Sequence, residues 1–152
     1  MKTRIIMVCL GNICRSPLAE GILKSKLDPE RFLIDSAGTG PWHVGEHPDP
    51  RSIKVARKYG IDISKQRGRQ FSQMDFANFD LIYVMDNENK HQVLQLAPNE
   101  DAENKVKLIL NELFEYENVD VPDPYLGDDE DFEHVFKLLD EASAIISKKL
   151  MD

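Results

Sequence analysis

Apolar positions along this chain alternate between short continuous runs and longer stretches with a helical repeat. Residues 4–8 (RIIMV) form a β-branched run, and Gly11 and Asn12 break it before Ser16 and Pro17 open a helix reaching about Leu27. A second strand is expected over residues 32–36 (FLIDS), closed by residues 37–41 (AGTGP), and a helix over about residues 50–59, ended by Gly60. Residues 81–85 (LIYVM) read as the next strand, followed by helical residues to about Leu96. Residues 106–110 fit a fourth strand or a short helix, because period alone does not separate the two. At the carboxyl end, Phe132, Val135, Phe136, Leu139, Ala142, Ile145, Ile146 and Leu150 make the stripe of a helix packed on a sheet. The acidic residues 128–133 before that stripe suit its solvated N-terminus. Strands and helices therefore alternate with few hairpin signals, which predicts one α/β domain over residues 1–152, its parallel sheet covered on both faces. Ligands of such sheets sit at the carboxyl ends of strands, so the site is expected in the loop after the first strand.

Composition narrows the partners. The formal net charge of −8 disfavours nucleic acid and anionic membranes, so any anion must be caught by local geometry. No apolar run approaches the roughly 18 residues of a membrane helix, and the opening residues read as a strand and not a signal peptide. A cytoplasmic location with reduced thiols is expected. Cys9 and Cys14 lie too close in sequence to staple a fold and lack the companions of a zinc site, and His43, His47, His91 and His134 are scattered without metal or triad spacing. No metal or cofactor is expected, and the four histidines read as surface residues.

The chemistry concentrates in the first loop. Cys9 stands where the first strand ends, and Arg15 follows after five intervening residues as a helix begins. A loop of that length can turn successive N–H groups inward, making an anion nest completed by the helix N-terminus. Gly11 and Asn12 tolerate the left-handed backbone such a curl needs, and Arg15 supplies a planar fork for phosphate oxygens. Those donors favour the Cys9 thiolate, a nucleophile aimed at phosphorus. Ser16 is a good N-cap before Pro17, and its hydroxyl is also placed to donate to the Cys9 sulfur. Cys14 shares the loop with Cys9, so a reversible Cys9–Cys14 disulfide is a further expectation.

Residues 8–17 (VCLGNICRSP), 35–39 (DSAGT) and 123–125 (DPY) together resemble the low-molecular-weight protein tyrosine phosphatases, in order and over essentially the whole chain. The resemblance implies a flavodoxin-like three-layer α/β/α fold with a four-stranded parallel sheet. It also implies metal-independent hydrolysis of phosphotyrosine and aryl phosphates through a cysteinyl-phosphate. By position, Cys9 matches the nucleophile, Arg15 the phosphate clamp and Asp123 the general acid and base. Leu10, Gly11, Asn12, Ile13, Cys14 and Ser16 match the phosphate loop, and Leu10, Trp42 and Tyr125 match the walls of the substrate crevice. Phosphotyrosine proteins are the implied substrates, with inorganic phosphate and other oxyanions as inhibitors. A deep slot favours tyrosine, since phosphoserine is too short to reach its floor.

Two positions depart from the family pattern. Gln66 stands where a histidine is frequent, which puts support of the phosphate loop from that side in question, although an amide offers a comparable hydrogen bond. Leu126 stands where a second tyrosine is frequent, which is expected to alter one wall. Asp86 suits either a helix cap or support of the site. Among rivals, phosphoarginine phosphatases typically carry threonine where this chain has Ile13, and thiol-based arsenate reduction needs more cysteines than these two. A phosphotyrosine-binding module would not need Cys9, Arg15 and Asp123 together.

Overall fold

The computed structural model describes residues 1–152. In chain order the elements are β1 (Thr3–Cys9), α1 (Arg15–Lys26), β2 (Phe32–Gly38), α2 (Pro50–Lys58), α3 (Asp75–Asn78), β3 (Leu81–Val84), α4 (Asn87–Leu94), α5 (Glu100–Glu103), β4 (Val106–Leu108), a 3-10 turn at Ile109–Glu112, and α6 (Asp129–Met151). The four strands are parallel in the order β2-β1-β3-β4. That is the flavodoxin-like winding, with the switch point beside β1.

The strands alternate their side chains between two cores. Ile5, Met7 and Cys9 join the cluster under α1, α2 and α6, while Ile6 and Val8 join the cluster under α3, α4 and α5. A central strand buried on both faces carries an unbroken apolar run, which is why residues 4–8 show no polar alternation. In α6, Phe132, Val135, Phe136, Leu139, Ala142 and Ile146 are all buried, as the stripe predicts. Each such side chain is worth roughly 1.5–3 kcal/mol on burial, so packing and not propensity holds this helix. Asp128 caps it: its carboxylate accepts from the Asp131 N–H, and the Asp131 side chain accepts from the Asp128 N–H.

The fourth strand stops at Leu108, short of the expected residue 110. Val106 and Leu108 face the α4 side, but Ile109 and Leu110 both join the opposite cluster. Two consecutive residues turned to one face cannot continue a strand of period two, and the chain tightens into 3-10 geometry. No helix is long and apolar enough to cross a membrane.

Candidate active site

Cys9 pairs with Gly38 at the carboxyl edge of the sheet, and residues 10–14 curl back to α1, which begins at Arg15. Asn12 sits in the left-handed region at φ 59°, a conformation asparagine adopts more readily than most residues. Its backbone N–H donates to Cys9 Sγ at 3.3 Å, and Ser16 Oγ lies 3.0 Å from the same sulfur. The cap of α1 is Cys14, with no side-chain capping bond, so the expected N-cap role of Ser16 is incorrect. Ser16 lies two residues past the cap, and its hydroxyl faces the sulfur.

A buried hydrogen-bond chain sets the direction of that hydroxyl. Asn12 Oδ1 accepts from the Arg69 N–H at 3.1 Å, which orients the amide. Both Nδ2 hydrogens are then spent, on Ser16 Oγ at 2.8 Å and on Ser36 Oγ at 3.0 Å. Ser36, having accepted, donates to Glu20 Oε1 at 2.6 Å, and Lys24 Nζ donates to Glu20 Oε2 at 2.6 Å. Burial raises the Glu20 carboxyl above its ordinary range, against the pull of the Lys24 and Ser36 donations. Ser16 likewise accepts from Asn12, which leaves its proton for Cys9. The sulfur therefore faces donors only.

Arg15 is buried beside this loop, its Nη1 donating to Asp86 Oδ2 at 2.7 Å and to the Val121 carbonyl at 3.0 Å. Nη2 lies 3.7 Å from Asp123 Oδ2. Burial disfavours the cation, but Cys9 and then Asp86 more than offset that, and the Arg15 value lies above its ordinary range. Asp86 also accepts from the Asn89 N–H and caps α4, so it performs both of the roles open to it. Asp123 is oriented by its own turn, with Oδ1 accepting from the Tyr125 N–H at 3.1 Å. Val121 N–H donates to the carbonyl of Met85, the residue after β3, which ties the segment leading into Asp123 to the sheet edge.

These groups surround a crevice of about 150 Å³ lined by Cys9, Leu10, Gly11, Ile13, Cys14, Arg15, Trp42, His43, Asp123 and Tyr125. The floor residues Cys9, Cys14 and Arg15 are at most 5% exposed, whereas Trp42 and Tyr125 at the mouth are 65% and 47% exposed. A chamber polar at its base and aromatic at its rim can seat an anion below a flat ring. Nearby, Gly38 is required by a close approach: a Cβ there would lie 2.8 Å from the Leu10 carbonyl oxygen. A side chain at Gly40 would collide with the Trp42 indole.

The structure brings every sequence-predicted loop and wall residue around this crevice or directly behind it, with Asn12 and Ser16 in the second position. Of the histidines, His47, His91 and His134 are exposed as expected, but His43 is not a plain surface residue. It lines the crevice half-buried, with its Nδ1 3.0 Å from Glu46 Oε2. Its position next to Trp42 was the available signal. Gln66 donates to the Pro17 carbonyl at 3.1 Å, so it supports the first turn of α1 and not the 10–14 loop. Leu126 is 95% exposed and does not line the crevice. Ser36 and Glu20 escaped sequence reasoning, although Ser36 lies inside the 35–39 segment. No group of three or more His, Cys, Asp or Glu side chains is placed to hold a metal ion.

A family profile described as low molecular weight phosphotyrosine protein phosphatase matches residues 4–152. The low molecular weight phosphotyrosine protein phosphatase of Schizosaccharomyces pombe is 40% identical over 134 residues, covering 85% of this chain and 85% of that protein. A crystal structure of a protein tyrosine phosphatase from Entamoeba histolytica, with Hepes in its active site, superposes with a TM-score of 0.92 at 34% identity, covering 99% of this chain and 97% of that one. The tyrosine phosphatase Wzb from Escherichia coli K30, in complex with sulphate, gives a TM-score of 0.87 at 35% identity and covers 99% of both chains.

Proposed function

Because this chain belongs to the low molecular weight phosphotyrosine protein phosphatase family, we propose that Cys9, Arg15 and Asp123 carry its reaction as nucleophile, phosphate clamp and general acid. The enzyme is a protein-tyrosine-phosphatase, hydrolysing phosphotyrosine and aryl phosphate monoesters. The observation that supports these roles best is the Cys9 sulfur held between the Ser16 hydroxyl and the Asn12 N–H, beside the buried Arg15 and facing Asp123 across one crevice.

Both Nη1 hydrogens of Arg15 are spent on Asp86 and Val121, which leaves Nε–H and Nη2–H as the side-on fork for two phosphate oxygens. On this reading the N–H groups of the 10–14 loop and the α1 N-terminus neutralise the rest of the phosphate charge, so the reaction needs no metal. Cys9 Sγ attacks phosphorus as the bond to the tyrosine oxygen breaks, and Asp123 delivers its proton to that oxygen. The same carboxylate then takes a proton from the water that attacks the cysteinyl-phosphate. Ser16, its proton already directed at the sulfur, stabilises the departing thiolate.

Trp42, Tyr125 and Leu10 bracket the phenyl ring, and Ile13 lines the crevice without a hydroxyl, which favours aryl over guanidino phosphates. Phosphotyrosine proteins of the cytoplasm are the substrates on this reading. Inorganic phosphate and related oxyanions compete for the same base, in keeping with the sulphate bound by the E. coli relative.

The test is turnover of para-nitrophenyl phosphate and of phosphotyrosine, phosphoserine and phosphoarginine peptides in the presence of a chelator. Cys9→Ser and Arg15→Ala are each expected to lose on the order of a thousandfold or more, because nucleophile and clamp act as one unit. Full activity in Cys9→Ser, or equal turnover of the three peptides, overturns the assignment. Asp123→Asn should slow poor leaving groups far more than good ones, since only the former need a proton. Equal loss for both would remove Asp123 from the acid role.

A further inference from the structure

The first turn of α2 grips two loops at once. On one side, the Asp49 N–H donates to the Ile13 carbonyl at 2.8 Å and Ser52 Oγ to the Cys14 carbonyl at 3.3 Å, which fixes the back of the phosphate loop. On the other, the Arg51 guanidinium donates from Nη2 to the Tyr125 carbonyl at 2.8 Å and from Nη1 to the Gly127 carbonyl at 2.9 Å. Asp49 holds that guanidinium in a bidentate pair, Oδ1 to Nε at 3.0 Å and Oδ2 to Nη2 at 2.9 Å. The ring of Phe132 lies 4.4 Å beneath its plane and that of Tyr125 at 5.9 Å.

From this arrangement we infer that Arg51 is a positioning residue for proton delivery, holding the Asp123-Pro124-Tyr125 turn in register with the phosphate loop through Asp49. The inference rests on Asp123 as the general acid. Asp123 itself makes one hydrogen bond within its turn and one ion pair to Arg15, so its placement depends on where that turn is held. Pro124 stiffens the turn but ties it to nothing. The carbonyls of Tyr125 and Gly127, just past the acid, are the attachment points, and both are bonded to one side chain. Donors and acceptors match: a guanidinium has five N–H groups in a fixed fork, and here Nε, Nη1 and Nη2 make four bonds to two carbonyls and one carboxylate. Lysine cannot reproduce that geometry, since its ammonium is a single point. Arg51 touches neither the phosphate nor the reacting atoms. Its loss is therefore felt most at the step that needs the proton, with a smaller effect common to all aryl esters through Tyr125, which the same guanidinium holds at the crevice mouth.

The experiment compares kcat/KM of wild type, Arg51→Met, Arg51→Lys and Asp123→Asn for phenyl phosphate and for 2,4-dinitrophenyl phosphate, with inhibition by inorganic phosphate measured alongside. kcat/KM reports all steps through departure of the phenol and none after it, so comparing the two esters isolates protonation of the leaving group. Arg51→Met is expected to lose roughly ten- to a hundredfold on phenyl phosphate, a misplaced acid retaining part of its effect. Its loss on 2,4-dinitrophenyl phosphate and its change in phosphate inhibition should stay within about twofold, because the bonds to Ile13 and Cys14 do not involve the guanidinium. Arg51→Lys should fall between wild type and Arg51→Met on phenyl phosphate. Equal loss on both esters, or a matching weakening of phosphate inhibition, means general damage to the site and overturns the proposal. So does an unchanged Arg51→Met. If Asp123→Asn itself shows no dependence on the leaving group, the acid assignment falls and takes the Arg51 role with it, whatever the Arg51 variants do.

Discussion

Cys14 shares the loop of the nucleophile but occupies a different electrostatic setting. Burial pushes its thiol above the ordinary range, and the negative charges of Asp49, Cys9 and Asp123 act in the same direction against Arg51. Cys14 is therefore a thiol at neutral pH. If peroxide converts Cys9 to a sulfenic acid, attack on that sulfur by a Cys14 thiolate would expel hydroxide and leave a Cys9–Cys14 disulfide. Only the scarce thiolate form reacts, so the rate of disulfide formation should climb about tenfold per pH unit between about pH 6 and 8. Mass spectrometry of the oxidised peptide, timed at several pH values, reads this directly. A flat profile would show that something other than Cys14 sets the rate. With Cys14→Ser, dithiothreitol should restore less activity after peroxide than it restores to wild type.

At the scale of elements, the end of β2 does as much for the site as the loop it touches. Gly38 is paired with Cys9, and a Cβ there would approach the Leu10 carbonyl oxygen, the Gly11 carbonyl carbon and the Asn12 nitrogen within about 3.1 Å or less, all of them backbone atoms. Backbone cannot rotate aside as a side chain can. Gly38→Ala should cost roughly 1–3 kcal/mol in thermal unfolding and lower phosphatase activity together, because relief requires moving the phosphate loop. A variant stable and fully active would show the loop to be more compliant than its packing implies. Here the limits of sequence reading also become visible. β1, α1, β2, α2, β3 and α6 are legible because each carries a run or stripe long enough to show its period. The four-residue helices α3 and α5 complete barely one turn and show none. β4 is legible only up to Leu108, since nothing local announces that Ile109 and Leu110 will cross to the other core. Cys9 and Arg15 stand out because one short loop carries both. Asp123 owes its identification to the family pattern, and Glu20, Ser36, His43 and Arg51 act across separations of 16 to 76 residues or within a loop of no regular period, where a sequence offers no contact.

For the whole molecule, the net charge of −8 opposes the dianionic substrates that its buried loop attracts at close range. The long-range part of that conflict is screened by salt over about 8–10 Å, while the contacts within the crevice are not. Raising ionic strength should therefore increase kcat/KM for a phosphotyrosine peptide with acidic neighbours and leave a peptide with basic neighbours level or slower. A fall for the acidic peptide would place a basic docking surface near the crevice. Solvent exposure divides the site along the same axis. The floor is buried and wired into the sheet, whereas Trp42 and Tyr125 hang from connecting loops. Substitutions at these outer positions remove little packing, so genetic drift there is nearly free of folding consequences. Two descendants of this chain can thus keep one chemistry and diverge in the phosphoproteins they recognise, with the rim as the part of the gene on which natural selection acts first.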